Sequence, residues 1–373
     1  MTLEETLRRI VPADRSIEEE AWRRWDSIAK PLRGLGLLEE AVARIAGMTR
    51  TVEVDLSRRA VAVFCADNGV VEEGVTQTGQ EVTAVVTENL SKGDTSVCKM
   101  ARVAHADVFP VDIGVKCAVT GENILPRKVA HGTRNMTKGP AMTREETVKA
   151  LEVGIELMQD LKQQGYRIVA TGEMGIGNTT TSSAVASVLL GLPPEEVTGR
   201  GAGLSSEGLA RKRLAVRRAI ACNAPDPSDA FDVLQKVGGL DLAGMAGAFL
   251  GGAAMQMPVV IDGFISAAAA LLAARMCPAV VDYMLASHVS GEPAARHRKV
   301  RISAVLQVCS GEKAFSSVPL VMPCSTAQAT LLAYQASAAT SEKPVDCSGC
   351  WGCSPDSPVS SESLWAAWES IFT

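Results

Sequence analysis

Apolar residues along the chain first recur at helical spacing and then contract into short, nearly continuous runs. In residues 21–29, Trp22, Trp25 and Ile28 fall on one helical face, and Ser16 with Glu19 has the spacing of a capping box just before them. Pro31, Gly34 and Gly36 interrupt this pattern, and residues 37–45 resume it. Apolar runs at 60–65, 106–113, 166–170 and 258–261 then predict strands covered on both faces. Residues 82–90, 144–164, 179–190, 207–220 and 264–274 between and after them predict helices. The alternation predicts an α/β fold: a mostly parallel, Rossmann-like sheet flanked by helices. Ligands in such sheets gather beyond the carboxyl ends of the strands, so the strand-to-helix loops are the places to search.

The most informative loop runs Thr171-Gly172-Glu173-Met174-Gly175-Ile176-Gly177-Asn178-Thr179-Thr180-Thr181, from an apolar strand into a Thr/Ser/Ala helix. Glycines let backbone N–H groups approach an anion, and the helix start adds unpaired donors and a positive dipole end. The pattern is neither a Walker sequence nor a dinucleotide fingerprint. A phosphate site and a tightly packed turn that binds nothing are both open. A second cluster, Thr198-Gly199-Arg200-Gly201-Ala202-Gly203, precedes the helix at 207–220, where Arg200 and Lys212 could neutralise a phosphate. Arg211, Arg213, Arg217 and Arg218 surround Lys212, and charge pattern alone favours a solvated face for most of that group. Asp67 and Asn68 follow the first strand, and a polar, glycine-punctuated stretch continues through Thr76. Asp112-Gly114 and Asp262-Gly263 end other strands in the same manner.

Composition narrows the choices. Apolar residues make up 47% of the 373, charged residues 21%, and the net charge is −5. There is no basic stripe of the kind nucleic acid or an anionic membrane requires. The charged start, Met1 to Arg9, has no apolar core of a secretory leader, and the most apolar stretches (184–190 and 265–274) are too short for a membrane span. Most of the ten cysteines stand singly in apolar surroundings, Cys65 and Cys277 among them, as expected of a reducing cytoplasm.

Taken together, these segments resemble the nicotinate-nucleotide–dimethylbenzimidazole phosphoribosyltransferase family of cobalamin nucleotide-loop assembly. The matching pieces are Ala66-Asp67-Asn68-Gly69-Val70 with Glu73-Gly74-Val75, Glu81-Val82-Thr83, Val111-Asp112-Ile113-Gly114 and the loop from Gly172 to Thr180. They continue with Thr198-Gly199-Arg200-Gly201, Gly238-Gly239-Leu240-Asp241, Val259-Val260-Ile261-Asp262-Gly263-Phe264, Ser287-His288 and Glu292-Pro293. The resemblance implies a homodimer, with a helical segment at residues 1–50, an α/β nucleotide- and base-binding domain at 51–295, and a C-terminal segment at 296–373. A smaller helical domain would be built from both chain ends. It implies that an azole nitrogen of a benzimidazole-type base attacks C1′ of nicotinate mononucleotide without a metal or other cofactor. Nicotinate leaves with inversion, and α-ribazole phosphate forms. Because the leaving pyridinium already carries positive charge, the enzyme needs only alignment and a proton acceptor. The resemblance places phosphate on Gly175, Gly177, Asn178, Thr179, Gly201 and Lys212, and the base near Asp67, Asn68 and Thr76. It places the general base on Glu312, with Glu173 the next carboxylate to test.

The chain also departs from that pattern. Asn68 stands where many members have His, Thr76 where Ser is common, and Ala84 where a Gln is expected; the last could alter the acceptor pocket. After Ala295 comes Arg296-His297-Arg298-Lys299-Val300-Arg301 in place of small apolar residues, and the glycines expected after Glu312 are absent. Two readings stay open there: a diverged tail with Glu312 still in place, or a shifted reading frame that makes Glu312 coincidental. A non-catalytic nucleotide-binding paralogue is the competing function. Cys347, Cys350 and Cys353 lack the fourth ligand a zinc or iron–sulfur site needs and are expected to be incidental.

Overall fold

Six strands form one sheet: β1 (Arg59–Ala66), β2 (Ala106–Gly114), β3 (Leu125–Pro126), β4 (Ile168–Met174), β5 (Val259–Ile261) and β6 (Met284–Ala286). Their order is β3-β2-β1-β4-β5-β6, and every neighbouring pair is parallel. The computed structural model describes residues 1–288 and 290–296 of the chain. The α/β architecture expected from the alternation is therefore present. Side chains of β1 alternate between two apolar layers, as pleating requires. Val61, Val63 and Cys65 face one layer with Leu90, Cys98 and Ala101, while Ala60, Ala62, Phe64 and Ala66 face the main core.

Three helices come first: α1 (Leu3–Arg9), α2 (Arg15–Ser27) and α3 (Leu37–Thr49). The α2 cap is a correction to the expected capping box. Asp14 is the N-cap, accepting from the Ser16 and Ile17 amides at 3.0 and 3.3 Å, so the helix starts before Ser16 can cap it. The N-terminal segment is fastened to the α/β body: the Met1 amine donates to Gln159 and the Leu3 amide to Glu152, at 2.9 and 3.0 Å.

Helices α4 (Glu81–Lys92) and α5 (Ser96–Val103) follow β1, and α6 (Arg144–Gln163) precedes β4. Then come α7 (Asn178–Leu190), α8 (Pro194–Val197), α9 (Ser206–Asn223), α10 (Ala230–Val237), α11 (Leu240–Ala254), α12 (Phe264–Met276) and α13 (Pro293–Arg296). Helices α5, α10 and α11 are not among those expected: α5 and α10 are only eight residues each, although the buried Ala230, Val233, Leu234 and Val237 of α10 do recur at helical spacing. In α11 every one of 15 residues is buried, so it has no polar face and no helical period to detect. It crosses α6 backbone to backbone. A Cβ at Gly154 would collide with the Gly244 carbonyl oxygen, and one at Gly247 with that of Leu151. The strand expected at 166–170 is also displaced: β4 starts at Ile168 and runs to Met174, which puts Glu173 on the strand.

Candidate active site

The strand order reverses between β1 and β4, where chain connections leave toward opposite sides and a crevice opens above the strand ends. Their register sets Phe64 beside Glu173 and Cys65 beside Met174. Asp67 and Asn68 leave β1 at the height where the glycine loop leaves β4. A cleft of about 130 Å³ lies on the β4 side, lined by Glu173, Thr179, Asp262, Ser266, Ser290 and Glu292 among others.

Gly177, with φ +97°, sits in the left-handed region at the α7 N-cap and no side chain caps the helix. That geometry favours glycine and leaves the helix start facing outward. Gly175 has a different reason: a Cβ there would strike the Ala66 carbonyl oxygen and come within 2.8 Å of Asp241 Oδ2. Part of the glycine pattern thus serves packing against β1, while the helix start serves the cleft. The Ile176 amide donates to Thr83 Oγ1 at 3.2 Å, which ties the loop to α4.

Lys212 corrects the solvated-face reading of its surroundings. It is 1% exposed, in line with the other buried α9 positions Gly208, Ala215, Val216 and Ala219, while Arg211, Arg217 and Arg218 are exposed. Its Nζ donates to Thr179 Oγ1 at 2.7 Å, and burial pulls its pKa down to about 8, partly opposed by the charge of Glu292. Gly201, in the left-handed region at φ +55°, passes directly over this pair: a Cβ there would lie 3.0 Å from Thr179 Oγ1 and 3.3 Å from Lys212 Nζ. Thr179, Gly201 and Lys212, distant in sequence, are thereby gathered at one point. Arg200 is not gathered with them. It is exposed and donates to Leu204 O at 2.6 Å and Ser206 Oγ at 3.1 Å, bracing its own loop.

Carboxylates crowd the floor. Burial pushes Glu173 up to about 8, with the charges of Asp241 and Asp262 adding to the shift, while Asn178 donates to its Oε2 and lowers it. Asp241 is fully buried and pushed up to about 6 by burial, held back by the Leu242 amide and the amides of Asn178 and Asn68. Burial also raises Asp67, against an N–H···O bond from Lys116 at 2.8 Å. Asp67 Oδ1, Asp241 Oδ2 and both amide atoms of Asn68 are buried without a well-formed hydrogen bond. Buried polar atoms in that state mark places where a substrate can supply the missing partner. Thr76 donates to Thr78 O at 2.8 Å, and the neighbouring Gln77 donates to Gly203 O at 2.5 Å, linking the Thr76 loop to the Gly201 loop. Among the described residues no group of three or more His, Cys, Asp or Glu is arranged to hold a metal ion, and no helix is long and apolar enough to cross a membrane.

A phosphoribosyltransferase family model matches residues 10–308. The nicotinate-nucleotide–dimethylbenzimidazole phosphoribosyltransferase of Clostridium tetani is 48% identical over 291 residues, covering 78% of this chain and 80% of that one. The enzyme of the same name from Acetivibrio thermocellus is 50% identical over 274 residues, covering 74% and 78%. The chain belongs to this family. The crystal structure of CobT from Thermus thermophilus superposes with a TM-score of 0.76 at 39% identity, over 85% of this chain and 92% of that one.

Of the residues expected to hold phosphate, Thr179, Gly201 and Lys212 lie together and Gly175 packs against Ala66 and Asp241, while the carboxylate expected as general base, Glu312, lies outside the described residues. So do Cys347, Cys350 and Cys353. Asp241, Asp262 and Glu292 were legible as parts of matching segments but received no role from the sequence. Each sits at a strand end, helix start or tight turn, where an acidic residue is ordinarily a cap or turn former. Only the tertiary contacts bring Asp262 and Glu292 into the cleft wall and set Asp241, fully buried, near Glu173.

Proposed function

We propose that the chain transfers the phosphoribosyl group of nicotinate mononucleotide to 5,6-dimethylbenzimidazole or a related base, giving α-ribazole 5′-phosphate and nicotinate in cobalamin biosynthesis. The observation that carries this reading is the buried Lys212 ammonium on Thr179 at the uncapped start of α7. A cation kept out of water this way has its interaction with a phosphate only weakly screened. Phosphate would sit against Gly175, Gly177, Asn178, Thr179, Gly201 and Lys212, and the acceptor base near Asp67, Asn68 and Thr76 on the β1 side. C1′ then lies between the two, above the ends of β1 and β4.

The azole nitrogen attacks C1′, the bond to nicotinate breaks with its electron pair, and the azole N–H proton passes to a carboxylate. Glu312 is the proposed acceptor. Glu173 is the alternative, supported by its place in the cleft and its pKa of about 8, which makes it a strong base but largely protonated at neutral pH. The reading carries with it a cytoplasmic homodimer with a smaller helical domain built from the chain ends. Nicotinate release from nicotinate mononucleotide, measured with and without 5,6-dimethylbenzimidazole, tests it. Base-dependent release is expected; nucleotide binding with no release for any acceptor would favour a non-catalytic relative. Glu312→Gln is expected to lose turnover and keep nucleotide binding, and unchanged turnover moves the role to Glu173.

A further inference from the structure

One carboxylate stands where a phosphate is expected. Glu292 Oε1 accepts the Gly201 amide at 3.0 Å, and Gly201 lies directly above Lys212 and Thr179. Glu292 Oε2 is buried in the cleft wall with no hydrogen-bond partner and lies against Gly199, where a Cβ would collide with that oxygen. The Glu292 amide donates to Ser290 Oγ at 3.3 Å, so the carboxylate is presented by a short turn rather than by a long helix. A carboxylate with one oxygen on a backbone donor, a buried ammonium nearby and its second oxygen unsatisfied has the charge and acceptor geometry of part of a phosphate monoester. Leaving that second oxygen unpaired in a buried position is costly, so the arrangement is poised to exchange.

We propose that Glu292 is an internal stand-in for the substrate phosphate, holding the Gly201 amide in the empty enzyme and moving aside when a phosphate monoester enters. This rests on the placement of phosphate at Gly201 and Lys212 given above. Competition from an attached carboxylate lowers the apparent affinity for every phosphate at the site, substrate and product alike. It also keeps the Gly201 loop and the Lys212 charge organised between turnovers. The affinity lost to Glu292 is of the uniform kind that restrains binding without helping the chemical step, and its effect is faster departure of a phosphorylated product.

The test uses the full chain and two probes, inorganic phosphate and nicotinate mononucleotide. Glu292→Gln keeps size and shape but removes the charge. It is expected to lower the Ki of inorganic phosphate and the KM of nicotinate mononucleotide together, by roughly three- to ten-fold, the difference between a charged and a neutral hydrogen-bond acceptor. Glu292→Asp, with the charge withdrawn from Gly201 by one methylene, is expected to shift both in the same direction but less. Thermal melting of each variant shows whether it folds. A rise in both constants in a folded variant makes Glu292 a substrate contact and overturns the proposal; no change in either makes it a structural residue and does the same. If inorganic phosphate fails to bind the wild-type chain, or binds equally to Lys212→Ala, the phosphate site itself is misplaced and both readings fall.

Discussion

Lys212 and Glu173 carry opposite perturbations, and each has a pH consequence whose sign is fixed. Lys212 titrates at about 8 when folded against an ordinary value of 10.5, so between those limits the unfolded chain binds more protons and stability rises with pH. The cost of burying the charge is present below pH 8 and relieved above it. Comparing urea unfolding of wild type and Lys212→Met from about pH 7 to 10 should show the wild type gaining relative to the variant. Binding follows the reverse trend: affinity for nicotinate mononucleotide is expected to fall above about pH 8, as the empty site loses its ammonium, and a flat profile would remove Lys212 from the phosphate site. Glu173 titrates at about 8 against an ordinary value of 4.5, so its contribution is intact below 4.5 and is lost as pH rises through 8. Glu173→Gln should flatten that decline; an unchanged slope would assign it to Asp241. Lys212 also shows what sequence could not disclose. Its neighbours Arg211, Arg213, Arg217 and Arg218 disguise it as part of a solvated face, and only the rotation of α9 against α7 separates the buried Lys212 from the exposed Arg211, Arg217 and Arg218.

Length decided legibility as much as amphipathicity: the eight-residue α5 and α10 are not expected although apolar residues of α10 recur at helical spacing, while the mostly buried α7 and α12 are expected. The long amphipathic α6, with its reciprocal Thr143–Glu146 capping box, falls within a residue of expectation. By contrast α11 reads as a small-residue segment without period because all of it is buried. Its glycines allow the backbone crossing with α6, and this makes a sharp prediction: Gly247→Ala, which sets a methyl group against the Leu151 carbonyl, should cost about 1–3 kcal/mol or more in denaturant unfolding. A change within experimental error would mean that α6 moves freely and the close approach is not needed. The α2 cap separates two readings of one sequence. Asp14→Ala should cost about 1 kcal/mol. Glu19→Ala should cost about 0.5 kcal/mol or less, because Glu19 is no part of the cap.

At the scale of the whole molecule, the crevice between β1 and β4 unites loops drawn from residues 66–80, 172–179, 198–204, 262–266 and 290–292. A ligand that binds only this assembled state must stabilise it, by about 2.7 kcal/mol at one hundred times its Kd. Nicotinate mononucleotide is therefore expected to raise the melting temperature and to slow amide exchange first in the loops at 172–179 and 198–204. Protection confined to other parts of the chain would place the nucleotide elsewhere. The sequence by itself determined the α/β class, because parallel strands buried on both faces must be continuously apolar and must alternate with covering helices. It also marked the glycine loop after β4, where closely spaced residues without a Cβ permit the left-handed turn at Gly177 and the close approach of Gly175 to β1. The tertiary structure alone decided the strand order and hence the crevice, the burial of Lys212, the pairing of Glu292 with Gly201 and the crowding of Glu173, Asp241 and Asp262. Those depend on distances between segments remote along the chain, and such distances are set by how helices and sheet pack rather than by any local preference of the residues involved.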